Sequence, residues 1–487
     1  MRPPPWGPWG AVVTVLLLLL VGACGGAPEE APARERPPNI VLIFIDDLGY
    51  GDFGVTGNTQ VPTPNIDRLA REGTLFSRFY VNSPICSPSR VAITTGTYPS
   101  RWGIHSFLNS RERNRARGMA DWLDLSAPTL ARTLQSAGYA TGHFGKWHMG
   151  GGRDVGDAPL ITEYGFDESL TSFEGLGDRY LWPDNAPNGL NQQSADLGRG
   201  EIRWTEKHEM TRHYVDRAID FMGRHRDQPF YINLWPNDVH DEHLPDPALA
   251  EKYAGIARNE YEQAFFAVLD EMDRQLGRLF AAIDSLGLAE ETLILLTGDN
   301  GPTDWPRYYR AGVEPPGSTA GLKGRKWSLY EGGIREPLIV RWPGRVPAGR
   351  ADETTVIAAM DLFPSLARIA GASLPQEVKL DGEDMSRALL GETVDRTSPI
   401  YWYYPNDLKP GNPEFVTPTL AVREGRWKLL VEQDGSGAEL YDLSSDPYEQ
   451  TDLATAHPEV VERLTAQTLS WWQSLAHNAG PPRSAAP

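Results

Sequence analysis

The sequence predicts an α/β fold in which helices sandwich a large, mixed, mostly parallel sheet. Two short runs, residues 40–45 (IVLIFI) and 292–297 (TLILLT), are continuously apolar and rich in β-branched residues. Because they lack the alternation of a half-exposed strand, they are typical of strands buried on both faces. Between them, apolar residues recur every three or four positions from Asn259 to Leu286, which indicates an amphipathic helix. Strands that alternate with helices imply a sheet covered by helices.

A smaller second domain is predicted at the C-terminal end. Near Ser398 the sequence changes to aromatic and β-branched segments (PIYWYYP, then TLAVREGRWKLLVEQ) that contain a glycine turn. An apparently helical segment follows from Glu459 to His477. We therefore expect a main domain over residues 38–395 and an antiparallel sheet with a helix over residues 396–487.

The composition indicates a globular protein that does not bind nucleic acid. The 487 residues are 40% hydrophobic and 23% charged, which is enough for a large core and more than one domain. The formal net charge is −19, whereas a nucleic-acid-binding protein needs a basic face that neutralises phosphates. An anionic substrate would therefore need a local cationic pocket.

Residues 1–23 are predicted to be a lipoprotein signal peptide. Arg2 precedes an apolar run from Ala11 to Val21, which is too short to span a membrane and is typical of a secretory signal. Residues 21–24 (VGAC) resemble the lipobox of bacterial lipoproteins, in which the cysteine is diacylated and becomes the mature N-terminus. The alternatives are an ordinary signal peptide cleaved past Cys24 and a short uncleaved anchor.

Acylation of Cys24 would determine both the location of the protein and the state of its other cysteine. Residues 24–37 contain little that can be buried and are predicted to be a flexible tether. The protein is then expected in the bacterial cell envelope, anchored to the membrane and facing the periplasm or the cell surface. Cys24 and Cys86 are the two cysteines, and an exported chain could pair them. If Cys24 is acylated, Cys86 is instead a lone thiol in an oxidising compartment.

Oxygen-bearing side chains follow the two predicted buried strands. Asp46 and Asp47 come directly after the first strand, and Asp299 and Asn300 follow the second, after Gly298. Ligands of open α/β sheets bind at the carboxyl ends of the strands. Three carboxylates and an amide favour a hard cation, calcium before magnesium and well before zinc. Acidic residues after strands also serve as helix caps and turn formers, so the pattern alone leaves both interpretations open.

Cys86 lies in the segment SPICSPSR, residues 83–90, which continues to Thr95 and Gly96. Its Cys-x-Pro-x-Arg pattern resembles the sequence of type I sulfatases in which the cysteine is oxidised to formylglycine by a separate maturation enzyme. The family signature usually has two bulky apolar residues before its Thr-Gly, and Thr94 departs from that pattern.

Three further segments carry the resemblance. Residues 138–148 (GYATGHFGKWH) resemble the second sulfatase signature, with Phe144 where a smaller residue is often found. Residues 321–333 (GLKGRKWSLYEGG) are similar to the lysine-bearing segment that precedes YEGG in the family, and residues 439–447 (ELYDLSSDP) resemble a hallmark of its C-terminal domain. The resemblance spans residues 38–475 and implies a fold like that of alkaline phosphatase.

The resemblance implies one Ca²⁺ per chain and a formylglycine nucleophile at residue 86 that faces the ion and completes its ligand set. A hydrated aldehyde has one hydroxyl that can attack sulfur in line, with Asp299 accepting a proton, and a second hydroxyl whose deprotonation expels sulfate. The other implied calcium ligands are the side chains at the two strand ends, Asp46, Asp47, Asp299 and Asn300.

Five further residues are implied to act at the substrate. Arg90 would anchor the nucleophile, and Lys146 with His148 would contact the sulfate and the formylglycine hydrate. His240 and Lys326 would lie on the leaving-group side, where one of them protonates the departing oxygen. Arg90 and the two lysines, together with calcium, would balance charge on the equatorial oxygens.

The histidine on the leaving-group side has two candidates. The family often has Pro-His at this place, whereas this chain has WPNDVH at residues 235–240 and a second histidine at His243. The position of His240 after the predicted strand Pro229–Leu234 favours it.

Two rival functions fit parts of the pattern. Alkaline phosphatases and phosphonate monoester hydrolases share the superfamily, but they tend to place histidine beside the second aspartate and bind softer transition metals, whereas this chain has Asn300. A catalytically silent lipoprotein that binds sulfated glycans for uptake would be expected to lack Cys86 or a ligand, and each such position is filled.

The resemblance implies that the substrate is a sulfated small molecule or oligosaccharide. Exported, membrane-tethered sulfatases are expected to act on fragments of environmental or host polysaccharides. The run Arg111–Arg117 (RERNRAR) is predicted to be a solvated loop rather than a polyanion site. The segment from Gly150 to Trp204 lacks periodicity and is predicted to be a loop that lines the cleft. Tryptophans near the motifs, such as Trp147 and Trp235, suit stacking on sugar rings, and core packing is the alternative.

Overall fold

The computed structural model describes residues 36–183 and 189–478, so the predicted signal peptide, Cys24 and nearly all of the tether lie outside the described residues. None of the described helices is both long and apolar enough to cross a membrane. The strands are β1 (Asn39–Ile45), β2 (Thr74–Tyr80), β3 (Ala140–Gly145), β4 (Glu168–Leu170), β5 (Arg179–Leu181), β6 (Ile202–Trp204), β7 (Phe230–Trp235), β8 (Thr292–Gly298), β9 (Arg335–Arg341), β10 (Arg350–Asp352), β11 (Ile357–Ala358), β12 (Ile400–Tyr403), β13 (Leu420–Glu424), β14 (Trp427–Val431) and β15 (Glu439–Asp442). The helices are α1 (Pro64–Arg71), α2 (Cys86–Thr95), α3 (Arg111–Ala116), α4 (Leu130–Ser136), α5 (Leu190–Asp196), α6 (Met210–Arg224), α7 (Pro247–Glu251), α8 (Glu260–Ser285), α9 (Glu331–Ile334), α10 (Leu362–Ile369), α11 (Ser386–Leu389) and α12 (Pro458–Asn478).

The main sheet is mixed and mostly parallel, as predicted. Its strands run in the order β10-β2-β9-β8-β1-β7-β3-β4, and β11 also pairs with β2. Strand β9 is antiparallel to both of its neighbours, and the other pairs are parallel. The two strands that were predicted from continuous apolar runs, β1 and β8, lie side by side at the centre of this sheet.

Helices cover both faces of the sheet, which confirms the predicted α/β fold. Successive residues of β1 alternate between two hydrophobic clusters, so the strand is buried on both sides. One cluster contains the apolar face of α8, and the other contains residues of α2, α4 and α10. Helix α8 begins where the sequence predicts, because the Asn259 side chain accepts hydrogen bonds from the backbone N–H groups of Tyr261 and Glu262.

The C-terminal part is a separate four-stranded antiparallel sheet in the order β12-β13-β14-β15, followed by α12. One face of this sheet packs with Leu464 of α12. The other face joins the main core, where the Trp402 indole N–H donates to the Val81 carbonyl at 2.7 Å. Lys428 of β14 is fully buried and forms ion pairs with Glu331 at 2.9 Å and Glu449 at 2.8 Å.

Two segments that were predicted to be loops contain regular structure. The segment from Gly150 to Trp204 includes β4, β5, β6 and α5, and these strands of three residues each are too short to show periodicity. All but the last residue of the charged run forms a helix rather than a loop, namely α3 (Arg111–Ala116). The buried Asn114 side chain fixes this helix by donating to the Asn109 carbonyl at 2.9 Å and to Asp121 at 3.0 Å, a tertiary contact that a charge pattern does not reveal.

Candidate active site

The two central strands bring their polar ends to one edge of the sheet. Strands β1 and β8 are parallel with Ile45 opposite Gly298, so the residues that follow each strand emerge together. The Asp47 backbone N–H donates to Asp299 Oδ1 at 3.0 Å. Asp47 has a left-handed backbone conformation with φ of 58°, which aspartate tolerates better than most residues. The four strand-end residues that were predicted as calcium ligands are therefore buried and adjacent at this edge.

Cys86 is the first residue of α2 and faces these carboxylates. Its Sγ lies 4.0 Å from Asp47 Oδ1 and 3.3 Å from Lys326 Nζ, and the side chain is buried. Burial raises the pKa of the Cys86 thiol to about 12, although Lys146 and Lys326 oppose this shift. The unmodified side chain is therefore a protonated thiol at neutral pH and a poor nucleophile.

Arg90 lies one helical turn after Cys86 and joins α2 to the strand ends. Its Nη2 lies 2.7 Å from Asp299 Oδ2 and 3.2 Å from Asp46 Oδ1, with none of the three side chains exposed. Its Nη1 donates to the Lys146 carbonyl at 3.1 Å. Burial opposes the charge of this guanidinium, but the two carboxylates outweigh it and raise the pKa of Arg90.

Two lysines complete a balanced set of three carboxylates and three cations. Lys146 Nζ lies 2.6 Å from Asp46 Oδ2, and Lys326 Nζ lies 2.5 Å from Asp47 Oδ1. Burial would raise the pKa of Asp46, but Lys146 and the other nearby cationic groups hold it well below its usual value. Burial and the neighbouring Asp46 raise the pKa of Asp299 to about 7.

Of the two candidate histidines, His240 lies at this cluster and lines the cavity, whereas His243 does not line it. His240 Nε2 is 3.7 Å from Asp47 Oδ2, and its Nδ1 is 2.5 Å from the Asp241 carbonyl. Since a carbonyl only accepts, Nδ1 carries the proton and Nε2 presents a lone pair to the site. His243 instead points Nδ1 at Asp241, at 3.7 Å. Burial and Lys146 lower the pKa of His240 well below its usual value, so its ring is neutral.

His148 and Lys207 are two further buried polar side chains at the site. Neither ring nitrogen of His148 has a hydrogen-bond partner in the part of the chain that the structure describes, and the ring meets the Phe173 ring at 5.2 Å between centroids. Lys207 donates to the carbonyl oxygens of His240 at 2.7 Å and Glu242 at 2.5 Å. Lys207 lies in no recognisable motif, so its place at the site could not be predicted from the sequence.

The donor set at the strand ends fits a hard cation. Ligand atoms of Asp46, Asp47, Cys86 and His240 all lie within 4.8 Å of one another. Among the described residues, no group donates a hydrogen bond to Asp47 Oδ2 or Asn300 Oδ1, although both oxygens are buried. Buried oxygens without donors are rare in folded proteins, and a bound cation would satisfy them. Carboxylate and amide oxygens are the ligands that Ca²⁺ prefers.

Cys86 opens into a cavity of about 600 Å³ with an aromatic and cationic wall. Trp147 and Trp235, which the sequence suggested for sugar stacking, are buried and stack on each other at 6.4 Å between ring centroids. The rings that line the cavity belong to Phe107, Phe173, Trp182, Trp305, Tyr308 and Trp327. Trp327 lies in the motif of residues 321–333, whereas the other five lie in segments without motifs, which is why the sequence did not reveal them.

Two family models match the chain. The model described as "Sulfatase" matches residues 38–372, and the model described as "N-sulphoglucosamine sulphohydrolase, C-terminal" matches residues 324–472. Together they span both the main sheet and the C-terminal sheet. The first match alone covers more than half of the chain.

Individual sulfatases are similar over nearly the whole length. Human arylsulfatase A is 34% identical over 93% of this chain and 90% of its own length. An N-acetylgalactosamine-6-O-sulfatase of Bacteroides thetaiotaomicron is 29% identical over 92% of this chain and 96% of its own. The solved structure of Ps i-CgsB with k-i-k-neocarrahexaose superposes with a TM-score of 0.74 at 27% identity, covering 92% of this chain and 94% of that one. The chain belongs to the sulfatase family and is an arylsulfatase-like sulfuric ester hydrolase.

Proposed function

We propose that the protein hydrolyses sulfate esters of carbohydrates, with a formylglycine formed from Cys86 by a maturation enzyme and with one Ca²⁺. The observation that carries this proposal is the position of Cys86, buried between Lys326 and the carboxylates at the strand ends and open to the cavity. A saccharide substrate is supported by the N-acetylgalactosamine-6-O-sulfatase relative and by the neighbour that was solved with a neocarrahexaose.

The residues that would hold the ion are Asp46, Asp47, Asp299 and Asn300, with residue 86 beside them. Two buried oxygens that lack a donor among the described residues, Asp47 Oδ2 and Asn300 Oδ1, support this assignment. Bound Ca²⁺ would act as a Lewis acid toward the sulfate oxygens and the nucleophile. Because the three carboxylates and three cations balance, a bound divalent ion would give the site a net positive charge that attracts a sulfate ester.

Arg90 and Lys146 would position the nucleophile and the sulfate. Arg90 stabilises the ionised forms of Asp46 and Asp299 and fixes the helix that begins at residue 86. Formylglycine, when present, would supply a hydrate hydroxyl as the nucleophile. Asp299, whose carboxylate acts on residue 86 from the neighbouring strand end, would accept a proton there. Lys146 and His148 line the cavity next to Cys86, where both have N–H groups suited to sulfate oxygens.

Lys326 is better suited than His240 to protonate the leaving oxygen. Burial opposes the charge of Lys326, but Asp47 and the other anionic groups outweigh it and raise its pKa, so it is an ammonium with protons to donate. His240 is neutral and presents a lone pair, so it would accept a hydrogen bond instead. We therefore propose Lys326 as the acid and a hydroxyl-orienting role for His240.

The enzyme is proposed to act at the bacterial cell envelope, tethered through a lipid on Cys24. The sequence VGAC at residues 21–24 is the support for this part of the proposal. Labelling with a palmitate analogue should mark the wild-type protein and not Cys24→Ser. Labelling of both would place the lipid elsewhere, and labelling of neither would indicate an ordinary signal peptide or an uncleaved anchor.

The proposed activity is tested with protein produced in a host that contains the maturation enzyme. We expect turnover of 4-nitrophenyl sulfate and of sulfated oligosaccharides, and none by Cys86→Ala. Protein from a host without the maturation enzyme should be nearly inactive. Faster turnover of 4-nitrophenyl phosphate would favour the phosphatase class, and tight binding of sulfated glycans without turnover of any ester would favour a silent binding protein.

A further inference from the structure

Helix α3 is fixed at the cavity by ion pairs at both of its ends. Arg111 pairs with Asp121 at 3.1 Å and also with Asp157. Arg117 pairs with Asp407 at 2.6 Å and donates to the Phe107 carbonyl at 2.8 Å. The outer arginines of the charged run therefore have structural partners, and the helix between them is held in one place.

Arg113 of the same helix is different. Its side chain is exposed and lines the cavity that contains Cys86. Within the described residues, this guanidinium forms no hydrogen bond and no ion pair. Arg115, two residues later, is also exposed but does not line the cavity. Helical geometry separates the directions of successive arginines, so one arginine of this run lines the cavity while its neighbour in the run does not.

A second arginine without an ionic partner, Arg307, also lines the cavity. Its guanidinium lies over the rings of Trp305 and Tyr308, at 5.6 Å and 6.0 Å from their centroids, and no carboxylate within the described residues pairs with it. Arg153, the third arginine of the wall, pairs with the buried Glu174, with 3.3 Å between its Nε and the carboxylate. The guanidinium of arginine presents a planar fork of N–H donors to carboxylate and sulfate groups.

The three arginines of the outer wall add positive charge to the cations that already surround Cys86 and would bind the reacting sulfate ester. The inner cations at Cys86 are already matched by carboxylates, whereas the acidic side chains of the outer wall are only Asp241 and Glu242 among the described residues. Asp241 already accepts a hydrogen bond from Tyr309 at 2.6 Å. Three arginines around an open cavity, in a chain with a net charge of −19, indicate selection for an anionic group on the ligand.

We propose that Arg113 and Arg307, together with Arg153, form a second anion subsite that binds a carboxylate or a further sulfate on the saccharide that leaves. The subsite sets specificity and takes no part in the chemistry. This inference rests on the proposed function, and it narrows the substrate class to sulfated saccharides with an additional negative charge. The aromatic rings of the wall would support the sugar between the two anionic groups.

The test compares three saccharides that carry the same sulfate ester: a neutral one, one with a uronic carboxylate, and one with a second sulfate. For Arg113→Gln/Arg307→Gln, kcat/KM should fall about tenfold or more on at least one doubly charged saccharide, mainly through KM. Turnover of the neutral saccharide and of 4-nitrophenyl sulfate should stay within about twofold of wild type. The saccharide with the larger loss identifies which anion the subsite binds.

Arg115→Gln is the matched control, since it removes one positive charge from the same helix outside the cavity. An equal loss with this control, an equal loss on all substrates, or no loss on either doubly charged saccharide would overturn the subsite. If wild-type protein turned over no sulfate ester, the proposed function would fail by itself. The affinity of the doubly charged saccharides, measured by calorimetry, would then test the anion subsite independently of turnover. Equal affinity of wild type and Arg113→Gln/Arg307→Gln would overturn the subsite.

Discussion

Arg90 donates to Asp299 across 2.7 Å in a part of the protein where neither side chain reaches solvent. The contact ties the helix that begins at Cys86 to the strand end that would hold the metal. Arg90 also neutralises Asp46, so two buried carboxylates depend on one guanidinium. The same residue therefore serves both stability and catalysis, and these two contributions are separable by experiment.

Replacement of Arg90 by methionine should destabilise the fold strongly. With a chelator present, so that no cation compensates, Arg90→Met should lose about 3–5 kcal/mol in the free energy of unfolding, because it leaves buried carboxylates unpaired. Urea denaturation measures this loss. Arg212→Met is the control, since Arg212 pairs on the surface with Glu209 and should cost less than about 1 kcal/mol. Similar losses for both variants would show that the buried pair is not a structural link.

Calcium should stabilise the folded protein through the strand-end residues. After dialysis against a chelator, added Ca²⁺ should raise Tm, with a gain of about 2.7 kcal/mol at a concentration one hundred times Kd. Asn300→Ala should lose most of this shift, and Asn412→Ala, which changes an asparagine that does not line the cavity, should keep it. Differential scanning calorimetry measures both. A calcium shift of equal size in the two variants would place the ion elsewhere.

Lys207 should act as a positioning residue for His240. Because its ammonium group holds the carbonyls of His240 and Glu242, Lys207→Met should lower kcat by about tenfold to a hundredfold with a smaller change in KM. Lys207→Arg should recover part of the loss. Lys252→Met, which removes an exposed lysine paired with Asp270, should have wild-type kinetics. An effect on KM alone would mean that Lys207 contacts the substrate directly.

Asp238 should make stability depend on pH below neutrality. Burial raises the pKa of Asp238 to about 6, against 3.8 for an unperturbed carboxyl, although Thr211 and Lys207 oppose this. The raised pKa means that its stabilising contribution is complete below about 3.8 and is lost as pH rises through about 6. Relative to wild type, Asp238→Asn should gain on the order of 3 kcal/mol in unfolding free energy between pH 4 and 7. A constant difference across this range would contradict the prediction.

The central strands of the sheet and the polar residues that follow them could both be predicted from the sequence, because both depend on the same buried parallel strands. Continuous apolar runs identify β1 and β8, and parallel strands bring the residues that follow them to one edge, so Asp46 and Asp299 could be predicted to meet. Motif resemblance supplied Cys86 and Arg90, which belong to one helical turn.

The outer wall of the cavity could not be predicted in this way. Trp182 and Lys207 come from segments with strands of three residues or single helical turns, where no periodic signal exists. Arg113 was visible as part of a charged run, but its direction depends on the tertiary contacts of Asn114. Specificity residues of this kind depend on how distant segments pack, and a local pattern does not encode that packing.

The central claim is that Cys86 becomes formylglycine, and mass spectrometry of the peptide that contains it tests this directly. Protein should come from its native host or from one proven to mature other sulfatases. We predict a peptide in which the sulfur and two hydrogens of the cysteine are replaced by one oxygen, or the hydrate of that aldehyde. An entirely unmodified thiol from such a host would contradict the account and would favour a glycan-binding protein without sulfatase turnover.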